Sequence, residues 1–258
     1  MRRRPFSIAV CVVLAAALAA TAAWAGPTVS APDGNTQSID TQIRPKKLSK
    51  TKFTPATLEV TTLTQSTTDA TGVPVPAIHA TIDFDRNARL YTKGLPTCEA
   101  GKLQNQSTEA AIAACGNAKI GTGHATAYLK AGKTYEVPQT VTAFNGVPKG
   151  GKPTILLHTY GTTPLQVSLV LEGTVSNYNK EGYGPRLDLD VPLIAGGTGA
   201  LKEFNVKIDK TWRYKGEKRT FISAKCTNSK QLKSRGTFTY RDNEALTALS
   251  KQSCKQSK

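Results

Sequence analysis

From Thr57 to the end of the chain, apolar residues recur at every second position within runs of strand length, and turn residues separate the runs. The clearest case is Pro76 to Arg86, PAIHATIDFDR. Here Ile78, Ala80, Ile82 and Phe84 fall on one side and His79, Thr81, Asp83 and Asp85 on the other, the period of a strand buried on one face. Thr57 to Thr68 sets Leu58 and Val60 among polar residues and turns at Asp69 to Gly72. Further runs occupy Asn117 to Leu129, Val137 to Asn145, Pro153 to Gly161, Leu165 to Asn177, Arg186 to Ile194, Leu201 to Lys210, Arg219 to Cys226 and Gly236 to Arg241. Asn243 to Gln252 fits either a helix or a strand, and the strand is favoured. Many short strands with no long helical period between them predict an all-β chain, an antiparallel β-sandwich of jelly-roll-like or Ig-like type.

One segment breaks the pattern. Between Gly94 and Leu129 the chain makes a polar excursion bracketed by Cys98 and Cys115, and Ser107 to Ala114 reads as one or two helical turns. Ser107 is the expected cap, and Glu109 lies early, where the helix dipole favours a negative charge. Gly121 and Gly123 flank Thr122, but a phosphate cradle needs a helix immediately after it. The run from His124 to Leu129 is strand-like instead, so these are read as turn or bulge glycines.

The N-terminal segment reads differently. Arg2, Arg3 and Arg4 precede an alanine-rich apolar run that ends in Ala23-Trp24-Ala25. This predicts a signal peptide over residues 1–25, an extracellular or envelope-associated product starting at Gly26, and no integral membrane span after cleavage. Residues 26–55 are polar and carry Arg44, Lys46, Lys47, Lys50 and Lys52. They are expected to form a flexible basic linker ahead of a single β-sandwich domain over residues 56–258. Four cysteines remain after cleavage, and an even number in an exported chain reads as disulfides. Three connectivities are possible. Pairing Cys98 with Cys115 and Cys226 with Cys254 closes the shortest loops, each adding roughly 3 to 4 kcal/mol in the loop-entropy picture. Neither pair has the spacing of a zinc knuckle.

The whole chain carries 34 basic and 18 acidic residues, a net charge of +16. Removing the three leader arginines leaves +13, which attracts polyanions over the screening distance. Outside the cell these are an anionic cell-wall polymer, acidic lipid headgroups or an acidic glycan rather than nucleic acid; a partner protein is the other expectation.

Candidate chemistry is sparse. No G-x-S-x-G elbow occurs, and no motif asks for a cofactor or a metal. Asp83, Asp85 and Asn87 resemble the opening of a calcium loop without its glycine and distal glutamate, so the expectation is a solvated strand face balanced by Arg86 and Arg89. His158, among apolar neighbours in ILLHTYG, reads as a core histidine. Two groups pair aromatic with basic residues and are the candidate binding residues: Tyr178, Tyr183 and Arg186 in one, Trp212, Arg213, Tyr214 and Lys215 in the other. Rings can stack on sugar faces while cations hold acidic groups. The leading expectation is a non-enzymatic envelope-binding module. Its rival is an exported glycan hydrolase with Asp188 and Asp190 as the acids.

The succession GLPTC, a polar loop to AAC, AKIGTGHATA, and a late FISAKC and GTFTYRDN before the terminal cysteine resembles a recurring type of exported actinobacterial protein with a cysteine-stapled β domain. The resemblance spans Leu58 to Cys254. It implies export and a β fold, and it carries over no catalytic residue.

Overall fold

The computed structural model describes residues 28–32 and 34–257. The expected signal peptide and its cleavage site lie outside the described residues. In chain order the strands are β1 (Val29–Ser30), β2 (Asn35–Arg44), β3 (Lys47–Ser49), β4 (Thr54–Ser66), β5 (Ala77–Asp85), β6 (Ala88–Leu90), β7 (Lys119–Ala131), β8 (Lys133–Lys149) and β9 (Lys152–Gly161). They continue with β10 (Val167–Asn177), β11 (Tyr183–Asp190), β12 (Gly199–Ile208), β13 (Thr211–Tyr214), β14 (Glu217–Thr220), β15 (Ile222–Ala224), β16 (Gln231–Tyr240), β17 (Ala245–Ser253) and β18 (Lys255–Ser257). One α-helix, α1 (Thr108–Cys115), joins them, capped by Ser107 through its side-chain oxygen and the Ala110 N–H.

The all-β, antiparallel expectation holds, but the strands do not divide into the two sheets of a sandwich. Twelve strands form one unbroken path, β1-β2-β4-β12-β7-β8-β9-β10-β11-β5-β16-β17, curled nearly into a barrel. Inward positions alternate with outward ones along each strand. Thus Ile82 pairs with Leu187 and Gly236, while the outward Asp83 pairs with Arg186 and Arg235.

Strand count explains how the barrel closes. From β2 to β17, leaving out the short hairpin partner β1, the path has eleven strands with every neighbouring pair antiparallel. An odd number makes the two end strands run in the same direction. Their extensions confirm this, because β3 and β18 pair in parallel, with Lys47 opposite Lys255. Above that short ladder, side chains of β17 meet the open edge of β2. The Ser250 hydroxyl accepts the Thr41 N–H at 3.1 Å, and the Gln252 amide bonds both backbone groups of Ile43. At the far end β1 lies on the same edge, with Val29 opposite Gln37.

This seam corrects the expectation of a flexible linker over residues 26–55. Asn35–Arg44 is a full barrel strand in which Gln37 and Ile39 are completely buried. Its inward residues Asn35, Gln37 and Thr41 are polar because they meet other buried polar groups. Gln37 Oε1 accepts from Tyr240 Oη at 2.8 Å and from Thr64 Oγ1 at 2.7 Å, and the Thr41 and Ser234 hydroxyls lie 2.6 Å apart. Hydrophobic alternation is silent on such a strand.

Other boundaries shift for local reasons. The run Arg219 to Cys226 is two short strands, β14 and β15, parted at the buried Phe221. Gly121 and Gly123 lie within β7, next to a register shift between Lys119 and Gly121. A Cβ on Gly123 would stand 1.9 Å from the Asn205 carbonyl oxygen, so a side chain cannot fit where β12 passes. Both expected disulfides are present, Cys98–Cys115 and Cys226–Cys254. The first folds α1 onto the outer face of β8 and β9, forming a second small core with Leu103, Phe144 and Leu156.

Candidate ligand cavity

The inward residues do not fill the barrel. A cavity of about 110 Å³ remains along its axis. Leu58, Val60, Ile82, Leu157, Leu171 and Val206 line its waist, and apart from two threonines and one arginine the wall is apolar. Side chains lining an unfilled apolar void have no partner atoms on that side and forfeit those dispersion contacts. At one end Thr62 and Thr64 approach the buried Gln37 and Tyr240 pair. At the other, Ala88, Arg89, Leu90, Val175 and Pro185 line both this cavity and a polar vestibule of about 450 Å³. The vestibule is completed by Arg86, Ser176, Asn177 and Asn179, among others.

Local sequence builds that mouth. Strand β11 joins β5 with a register shift between Tyr183 and Arg186, so Gly184 and Pro185 form a bulge. Bulges of this kind recur at barrel rims, where they re-aim the chain. Gly184 is required because a Cβ there would lie 2.9 Å from the Arg86 Cα. The Arg86 N–H donates to the Gly182 carbonyl at 3.1 Å, tying the turn after β5 to the turn before β11.

Just outside the mouth, the Asp83 carboxylate is almost wholly buried between two arginines. Arg186 donates through Nε and Nη2, and Arg235 through Nε and Nη2. Burial opposes ionisation of Asp83, but these hydrogen bonds outweigh it and hold the carboxyl below its ordinary range. Arg235 also bonds Glu181 at 2.6 Å. The guanidinium of Arg186 lies 3.7 Å from the Tyr178 ring centre, and that of Arg235 lies 4.7 Å from the Tyr183 ring centre. Tyr178, Tyr183 and Arg186 are therefore brought together, but as an internally satisfied cluster. The carboxylate expected to sit on a solvated face balanced by Arg86 and Arg89 has other partners.

The second aromatic group serves packing as well. Trp212 stacks on Tyr91 with ring centres 5.9 Å apart and donates from Nε1 to the Lys93 carbonyl at 3.2 Å. Tyr214 packs on Gly94, while Arg213 and Lys215 are exposed on the β13–β14 hairpin. Neither member of the Asp188 and Asp190 pair lines the cavity or the vestibule. Both project from the outer face of β11 beside His79, whose Nδ1 lies 3.0 Å from Asp190. The Asp85 carboxylate accepts the N–H groups of Asn87 and Lys233. Among the described residues no three His, Cys, Asp or Glu side chains converge on a common point as metal ligands would. His158 is buried under the Cys98–Cys115 excursion, where its Nε2 faces the Gln106 carbonyl at 3.0 Å and its Nδ1 has no partner.

Sequence reasoning missed the cavity and its mouth. The alternating apolar positions that line it were legible, but whether they fill a barrel or leave a void depends on strand number and curvature. Among the described residues no helix is long and apolar enough to cross a membrane. Comparison of the chain with protein-family models, curated proteins and solved structures gives no match.

Proposed function

We propose that this protein is an exported, non-enzymatic binding protein that holds an apolar ligand inside its barrel. The observation that carries this reading is the apolar cavity, which shares five of its lining residues with a polar vestibule. An apolar void is costly to keep empty, and a ligand that fills it recovers dispersion contacts and removes apolar surface from water. The net positive charge fits the same reading: a basic barrel is drawn to an anionic envelope, where apolar molecules reside. The expected anionic envelope component thereby becomes the source of the ligand. Sugar stacking on Tyr178 is disfavoured, because a guanidinium already covers that ring.

The test is a calorimetric titration of the chain from Gly26 onward with decanol, whose linear chain end fits the cavity. Saturable binding at one equivalent is expected, together with its loss in a folded Val60→Phe variant that fills the waist of the cavity. Binding that does not saturate, or that survives in that variant, rejects the reading.

A further inference from the structure

We infer that the occupant is a single-chain amphiphile with an anionic head, its chain in the barrel and its carboxylate or phosphate between Arg86 and Arg89. The inference rests on the cavity reading above and adds the chemistry of the mouth. Five residues are common to the apolar cavity and the polar vestibule, so a molecule spanning both has one apolar and one polar end. The cavity alone is smaller than a void of about 150 Å³ that accepts benzene. It therefore takes the end of one chain, with no room for two, while the wider vestibule takes the head.

The sign of the head is set by the charges at the mouth. Arg86 and Arg89 are both exposed at the vestibule, and no carboxylate among the described residues pairs with either. Their neighbours Arg186 and Arg235 differ, since Asp83 and Glu181 satisfy them. Arg89 is also held in place, its guanidinium 3.8 Å from the Phe53 ring centre. Arg86 is fixed at its backbone by the bond to Gly182. Ser176, Asn177 and Asn179 add neutral hydrogen-bonding groups to the same space. Two forked cations with uncommitted donors beside an apolar shaft match a carboxylate or phosphate carried on an alkyl chain.

Calorimetric titration of the chain from Gly26 with decanol, decanoate, decyl phosphate and inorganic phosphate tests this. At least one of the two anionic amphiphiles should bind about tenfold or more tightly than decanol, as charge-assisted bonds to two arginines imply. Inorganic phosphate should bind far more weakly than decyl phosphate. A double variant, Arg86→Gln with Arg89→Gln, should abolish the preference and bring the anionic amphiphiles to the level at which the same variant binds decanol. Arg86→Glu with Arg89→Glu should turn the preference toward decyltrimethylammonium. Equal binding of decanol and both anions overturns the inference while leaving the cavity reading intact, and so does an anionic preference that persists in both double variants. Inorganic phosphate binding as tightly as decyl phosphate also overturns it. If no amphiphile binds, the cavity reading itself falls and takes the inference with it.

Discussion

The side chain of Gln252 binds both backbone groups of Ile43: the Ile43 N–H donates to Oε1 at 2.6 Å, and Nε2 donates to the Ile43 carbonyl at 2.7 Å. A side-chain amide thus occupies the place of a neighbouring strand's peptide at the point where β2 and β17 meet without a backbone ladder. Ile43 and Gln252 are both buried, so water cannot substitute. Gln252→Leu should leave a buried donor and a buried acceptor unpaired, at about 1 to 3 kcal/mol each. We expect a loss of about 2 to 6 kcal/mol in urea unfolding, and faster amide exchange at Thr41 and Ile43 than elsewhere in β2. A loss below about 0.5 kcal/mol, the range of a neutral surface change, would show that the seam is held by other contacts.

Asp83 lies two strands along the sheet from that seam, where β11, β5 and β16 lie side by side. Its folded pKa is depressed, so its contribution is present above the ordinary carboxyl value and is lost as pH falls through the depressed one. Asp83→Asn should leave Arg186 and Arg235 without their shared anion. The expected loss is about 3 kcal/mol near neutral pH, as for breaking one partner out of a buried pair. The penalty should shrink below about pH 4, where the wild-type carboxyl begins to protonate in the unfolded chain. A penalty equal at neutral and acid pH would mean that packing, not the ion pairs, accounts for the loss.

How much of this was legible varies with the physics each feature obeys. Period-two alternation set out β4, β5, β7 to β12 and β15 to β17, because their inward residues, such as Ala80, Ile82, Leu157 and Val206, are apolar. Spacing gave both cysteine pairs, and Ser107 with Glu109 gave α1. β2 escaped because its buried face is built from Asn35, Gln37 and Thr41, whose burial is compensated by Thr64, Tyr240 and Ser234 from far along the chain. The site escaped for a related reason. Arg86 and Arg89 look like any surface cations, and only the fold shows that Asp83 prefers Arg186 and Arg235, leaving the first two uncommitted at the mouth. The same long-range pairing turned Tyr178, Tyr183 and Arg186 from a binding group into a packed cluster.

His158 supplies a pH signature distinct from that of Asp83. Burial under the excursion lowers its pKa, and the carbonyl of Gln106 only partly offsets the effect. The unfolded chain takes up the proton near pH 6.5 while the folded one resists until lower pH. Stability is therefore unaffected by this group above that value and falls as the solution is acidified below it. In His158→Leu the fall between about pH 6.5 and pH 5 should flatten, measured as unfolding midpoints at several pH values. An unchanged slope would assign the acid sensitivity to other groups.

The Cys98–Cys115 bond closes a loop with a sequence separation of 17 and presses the excursion onto the outer face of β8 and β9. Replacing both cysteines by serine should cost about 3 kcal/mol by the loop-entropy estimate. The damage should be local, because Phe144, Leu156 and His158 face outward beneath the cap while Ala143, Ile155 and Leu157 face the barrel interior. Exchange protection should fall across residues 95–118, and His158 should titrate closer to its ordinary value once exposed. Binding of decanol in the barrel should persist at unchanged stoichiometry. Cys226 and Cys254 both belong to the main core, beside the parallel β3–β18 ladder that completes the seam. Replacing that pair should instead weaken the barrel itself and its decanol binding. Equal effects of the two replacements on binding would contradict the division between an outer cap and a ligand-holding barrel.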